Sequence, residues 1–225
     1  MSCNFNAIAS QLKETPCYVV DLGALKKNLE ILKSVQLNAP CDIILALKGF
    51  SMFSVFPVIR NYLKGITASS LHEARLGYEE FGKDVHVYAP AYREDEFDEL
   101  LRYATHITFN SFSQWEFFKP FFKKSGKNIK AGLRVNPEHS EVKVPLYDPC
   151  APFSRLGIPH EEFKGKSLDG ITGIHFHTLC ELNSDALERT LTAVEKKFGD
   201  IIKNVECAIS LKINFFPGVK GSSKE

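Results

Sequence analysis

Short apolar, β-branched runs alternate along this chain with longer stretches in which apolar residues recur every three or four positions. Six of the runs, 42–47, 65–69, 85–89, 105–109, 128–135 and 173–177, read as strands. Helix starts stand between them. Ser70 precedes Glu73, and Ser111 precedes Gln114, by the three residues at which a hydroxyl and a carboxylate or amide together satisfy the orphan amides of a first turn. Leu25, Leu29 and Leu32 mark one helix face after Asp21. Leu187, Leu191, Val194 and Phe198 mark another behind a cap at Asn183 or Ser184, with Gly199 placed to end that helix. Strands and helices in strict alternation predict a parallel sheet covered by helices.

Pattern alone leaves two architectures open, a doubly wound sheet and most of an eight-stranded barrel. No GxGxxG follows the first strand, which turns the expectation away from dinucleotide binding and toward the barrel. The connection over 136–169 is too long for an ordinary βα loop, and long loops at a barrel mouth commonly bind ligands. Residues 207–225 lack periodicity and read as a solvated, irregular tail. No internal repeat is visible.

Composition narrows the function classes. With 225 residues and 44% hydrophobic content the chain can bury a core, and 28 basic against 27 acidic residues give a net charge of +1. No single-sign field favours nucleic acid or an anionic membrane surface. Residues 1–15 carry no basic cluster followed by an apolar stretch, and no run approaches the ~20 apolar residues that span a bilayer, so a cytoplasmic address is the default expectation. Cys3, Cys17, Cys41, Cys150, Cys180 and Cys207 show no CxxC spacing, which points to reduced thiols and no structural metal.

Lys48 follows the apolar run Ile43-Ile44-Leu45-Ala46-Leu47 and so brings one amine to the carboxyl end of a buried strand. Barrel enzymes keep their catalytic groups there, and a desolvated lysine can form a Schiff base; the plain alternative is a lysine leaving the sheet for water. His175 and His177 share one strand face, as a metal pair, as a ring stacked on a planar cofactor, or as hydrogen-bonded core imidazoles. Arg134 ends the run Ala131-Gly132-Leu133-Arg134-Val135, either to meet a phenolate or carboxylate or to lie on the surface. The segment 147–157, with Tyr147, Asp148 and Arg155, suits a rigid binding loop or plain turn chemistry.

Five pieces in order resemble the carboxynorspermidine (carboxyspermidine) decarboxylase family, in the alanine-racemase-like, fold type III group: Thr15-Pro16-Cys17-Tyr18-Val19-Val20-Asp21; Leu45-Ala46-Leu47-Lys48; Gly132 to Val142; Tyr147 to Ile158; and His175-Phe176-His177-Thr178-Leu179-Cys180-Glu181. The resemblance covers about residues 14–206. It implies a pyridoxal 5'-phosphate-binding (β/α) barrel of the TIM type. It further implies decarboxylation of carboxynorspermidine or carboxyspermidine to norspermidine or spermidine in polyamine biosynthesis, and a homodimer in full-length relatives. By position, Lys48 would hold the cofactor, His177 would stack on its ring, Arg134 would face its phenolic oxygen or the substrate, and Cys180 would lie near its phosphate. Tyr147, Asp148, Arg155 and Glu181 would contact the carboxy-triamine substrate.

The family continues into a glycine-rich phosphate turn, an acidic residue facing the pyridine nitrogen and a C-terminal β-domain. Residues 207–225 match none of these, so the expectation is an incomplete α/β barrel that lacks its last strands and that domain. Other readings stay open at this point. They are a non-catalytic single-barrel carrier of the same cofactor, a relative of diaminopimelate decarboxylase or an amino-acid racemase, and an inert fragment.

Overall fold

The computed structural model describes residues 8, 10–179 and 182–205, together with the backbone of 209–211. Its strands are β1 (Ile44–Ala46), β2 (Gly65–Ala68), β3 (Asp84–Tyr88), β4 (His106–Phe109), β5 (Lys130–Asn136), β6 (Ile158–Pro159), β7 (Ile171–Phe176) and β8 (Ile209–Leu211). All pairings are parallel, in the order β1-β2-β3-β4-β5-β7-β8, with β6 paired to β5 off that path. The spatial order follows the chain without reversal. A doubly wound sheet reverses at a switch point, so this progression decides for barrel winding.

Helices α1 (Leu22–Asn38), α2 (Phe56–Ile59), α3 (Leu71–Leu76), α4 (Glu94–Tyr103), α5 (Phe112–Ser125) and α6 (Ser184–Ile202) flank the strands. Three begin as their sequence caps predict. Asp21 Oδ1 accepts from the Ala24 amide at 2.9 Å, Ser70 Oγ from Glu73 and Ser111 Oγ from Gln114, the last two at 3.2 Å. The return bonds reach one residue further back: Glu73 Oε2 accepts from the Ser69 amide at 2.6 Å and Gln114 Oε1 from the Asn110 amide at 2.8 Å. Each box therefore pins the carboxyl end of the preceding strand as well as the helix.

Period-two alternation sorts the sheet's two faces. Ile66, Val85, Val87, Ile107, Phe109, Leu133, Val135, Ile174 and Phe176 are buried in one apolar core. The helices supply the other half of that core. Tyr92, Phe97, Phe109, Phe118 and Phe122 form one aromatic cluster, in which Phe97 stacks on Phe118 at 4.0 Å and Tyr92 meets Phe109 edge-on at 5.6 Å. The alternate positions, Thr67, His86, Tyr88, His106, Thr108, Lys130, Arg134 and His175, carry the polar groups on the opposite, concave face. A wholly apolar strand could not present them.

Two helical expectations need correction. In α6 the buried stripe is Ala186, Thr190, Val194 and Phe198, whereas Leu191 is exposed, so the helix is turned by about one residue from the leucine spacing. Gly199 does not end it: the Lys203 amide donates to the Gly199 carbonyl at 3.1 Å, and the helix runs through to Ile202. β8 falls inside the stretch expected to be irregular, where its backbone pairs with β7 at Ile174↔Ile209. Three residues are too few to show a period.

Cys17, Cys41 and Cys150 are free thiols, and among the described residues no helix is long and apolar enough to cross a membrane. The helix layer approaches the sheet most tightly at Gly77, just after α3, where an added Cβ would lie 2.4 Å from Ile66 Cγ1. Ile66 is fully buried and has nowhere to yield. Gly77→Ala should therefore cost about 1–3 kcal/mol, read as a lower urea midpoint at unchanged m-value.

Candidate active site

Past β1 the chain turns tightly, the amides of Gly49 and Phe50 both donating to the Ala46 carbonyl at 3.0 and 3.1 Å. That turn follows buried Leu47 with exposed Lys48, at the end of the strand where barrel enzymes gather their chemistry. On β5, Leu133 and Val135 pack against the helices while Arg134 between them turns to the concave face, only 3% exposed.

Arg134 is held by neutral groups. One guanidinium nitrogen donates to the Tyr88 hydroxyl, the other to the His177 carbonyl at 3.3 Å, and the guanidinium carbon stands 4.9 Å from the Tyr88 ring centroid. Its Nε has no hydrogen-bond partner. Among the described residues no carboxylate pairs with it. Tyr88 cannot supply the missing negative charge. Burial pushes its phenol pKa up, outweighing the lowering effect of the nearby guanidinium, so the hydroxyl keeps its proton. That proton goes to Asn110 Oδ1 at 2.9 Å. The Tyr88 ring also stacks on His175 at 5.2 Å, and Gly132 and Gly173, paired on neighbouring strands, put no side chain between them.

Asn110 fastens the long loop to this group. Its Oδ1 accepts from the Gly157 amide at 2.9 Å and its Nδ2 donates to the Arg155 carbonyl at 2.8 Å. Gly157 has φ +85°, and a Cβ there would lie 2.8 Å from the Val135 carbonyl carbon, so only glycine fits the seat. Further out, Lys197 on α6 pairs with Glu138 at 2.7 Å, and Arg189 grips Glu141 through two bonds of 2.6 and 2.7 Å.

Comparison with known proteins places this arrangement. Carboxyaminopropylagmatine decarboxylase of Synechocystis is 47% identical over 192 residues, 85% of this chain and 49% of that protein. Carboxynorspermidine/carboxyspermidine decarboxylase of Campylobacter jejuni is 42% identical over 186 residues, 83% of this chain and 48% of that protein. The crystal structure of carboxynorspermidine decarboxylase from Campylobacter jejuni, complexed with norspermidine, superposes with a TM-score of 0.76 at 38% identity, covering 85% of this chain and 48% of that one. Over 83–85% of its length the chain is thus similar to decarboxylases of the carboxynorspermidine/carboxyspermidine type. It spans about half the length of the curated relatives it matches. Diaminopimelate decarboxylase from Helicobacter pylori, at 16% identity and a TM-score of 0.77, shares the fold alone, covering 91% of this chain and 55% of that structure. No protein-family profile matches the chain. The fold is thus the decarboxylase barrel in part, as the strand order indicated.

Of the residues expected to serve a member of this family, the structure brings Arg134 and His177 into direct contact and sets Lys48 at a strand end of the same sheet. Tyr147 and Arg155 are exposed on the loop, and Asp148 caps its own turn, its Oδ1 accepting from the Cys150 amide at 2.8 Å. Cys180 and Glu181 lie outside the described residues. Tyr88 and Asn110 were not among the expected residues. Tyr88 did carry a signal, as a polar residue two positions from His86 in an otherwise apolar strand.

Deeper in the concave face His86 stacks on His106 at 3.9 Å with nearly parallel rings. Burial first, then the neighbouring His106 and Lys130, lowers the His86 pKa from 6.5 to about 3, and His106 is lowered as well. The folded state keeps His86 neutral while the unfolded chain takes up a proton below pH 6.5, so the stability it contributes is present above that value and lost as pH falls toward about 3. Between pH 7 and 5, where most carboxylates remain ionised, the urea midpoint should fall with pH, and His86→Gln should flatten that slope.

Proposed function

We propose that this barrel serves pyridoxal-phosphate-dependent decarboxylation of a carboxy-substituted polyamine precursor: carboxynorspermidine, carboxyspermidine or, by its likeness to the Synechocystis enzyme, carboxyaminopropylagmatine. The observation that carries this reading is the buried Arg134 guanidinium with its unpartnered Nε. A buried charge without an opposite partner is costly, and an anion on the concave face would offset that cost. The phenolic oxygen of the cofactor and the carboxylate of the substrate are both such anions. A second orphan, the buried Thr178 Oγ1 next to His177, offers a further hydrogen bond at the same edge.

Lys48 would hold the cofactor through its amine, His177 would stack on the ring, and Arg134 would face an anionic oxygen. When bound, pyridoxal phosphate supplies the electron sink that takes up the pair left as the carboxylate departs as CO2. The protein contributes orientation and exclusion of water. Arg134 is fixed through Tyr88 and the His177 carbonyl, and the protonated Tyr88 leaves the guanidinium charge uncancelled. Tyr147, Asp148 and Arg155 stand on the loop that would cover the substrate's polyamine arm; by the family resemblance Cys180 would serve the cofactor phosphate and Glu181 the substrate.

Titrating the purified chain with pyridoxal phosphate tests this directly. The expected result is an absorbance band to the red of the free cofactor that Lys48→Ala abolishes, followed by CO2 release from one of the three carboxylated amines. A band without CO2 release from any of them would favour a non-catalytic carrier instead. Absence of the band in the wild type would sink both.

A further inference from the structure

Asn110 commits both lone pairs of its side-chain oxygen and one of its two amide protons to three partners distant in sequence. Oδ1 accepts from the Tyr88 hydroxyl and from the Gly157 amide, and Nδ2 donates to the Arg155 carbonyl. Its own backbone amide is tied to Gln114 at the start of α5. A rigid strand-to-helix turn thereby holds a side chain that reaches inward to the concave face and outward to the loop.

We propose that Asn110 is the positioning residue that couples the seating of the 154–157 segment to the orientation of the Arg134 guanidinium, with the Tyr88 phenol as the link. This rests on reading Arg134 as the group that receives an anion. A phenol has one proton, and here Asn110 takes it. The Tyr88 oxygen must then turn a lone pair toward Arg134, which donates to it. With Asn110 removed, the phenol could turn its proton elsewhere, and Arg134 would lose a fixed acceptor. The loop end of the chain is equally constrained. Gly157 occupies a left-handed conformation against the Val135 backbone, so the segment has one seat, and Asn110 bonds to both sides of it. The loop that carries Arg155 and the guanidinium on β5 are therefore one mechanical unit. Recognition of the anion is conditional on a properly seated loop.

The test uses the full chain labelled with ¹⁵N-arginine, with the Arg134 Nε–H resonance assigned by its loss in Arg134→Lys. In the wild type that resonance should exchange slowly with solvent. Asn110→Ala and the milder Tyr88→Phe should each shift it, speed its exchange and weaken pyridoxal phosphate binding, read from the red-shifted band, by about five- to tenfold, the net worth of one ordinary hydrogen bond. Backbone amide exchange over 154–158 should rise in Asn110→Ala but stay at the wild-type level in Tyr88→Phe. An Arg134 resonance unmoved by Asn110→Ala or by Tyr88→Phe would overturn the coupling. If even the wild type binds no cofactor, the decarboxylase reading falls, while the resonance and exchange data still decide the coupling.

Discussion

A guanidinium sealed from water, with no carboxylate among the described residues to answer it, is the constraint around which this concave face is arranged. Burying an unpaired charge costs several kcal/mol even after relaxation, and neutral partners return only part of that. Arg134 receives a phenol oxygen, a main-chain carbonyl and the face of an aromatic ring. All three stabilise a cation without cancelling it. What is left over is a positive potential directed at whatever occupies the concave face, and the aromatic core on the sheet's other side, built on Phe97, Phe109 and Phe118, supplies the stability against which that charge can be held.

The two faces of the sheet thus divide their labour by parity along each strand. In β5, Ala131, Leu133 and Val135 belong to the packing, while Arg134 and Asn136 belong to the polar side. Asn136 Oδ1 accepts from the Glu138 amide at 2.8 Å, which starts the long loop at a fixed angle, and Asn110 ends it. The exposed pairs from α6 to Glu138 and Glu141 add restraint but little stability, since such pairs are screened and contribute modestly. The geometry near Arg134 is set by buried hydrogen bonds, not by these surface charges.

Arg134 was half legible: it interrupts an apolar strand, but spacing alone left a surface arginine open, and the structure buries it on the concave face. The roles expected of Lys48 and His177 came from the family resemblance, since a lysine leaving the sheet and a core imidazole fit the same local pattern. Barrel winding was only half legible: periodicity predicts parallel strands but not whether their order reverses. The helix after residue 183 was legible as a helix, yet its stripe lay one residue off, since Ala186 and Thr190 pack where Leu187 and Leu191 were expected. Small side chains let the helix lie closer to the core, a choice that hydrophobicity alone does not reveal. Tyr88 carried no signal beyond its polarity and Asn110 none, because their partners stand 22 to 47 positions away, beyond any local pattern.

The central claim is that Arg134 carries an uncompensated charge kept for an anionic ligand, and the most direct measurement is the stability of Arg134→Met with and without pyridoxal phosphate. The account predicts that the ligand-free variant is more stable than the wild type, by about 1 kcal/mol or more, because methionine fills similar space without a buried charge. It also predicts that added cofactor stabilises the wild type far more than the variant. A variant that is less stable without ligand, and that gains as much from the cofactor as the wild type does, would contradict it.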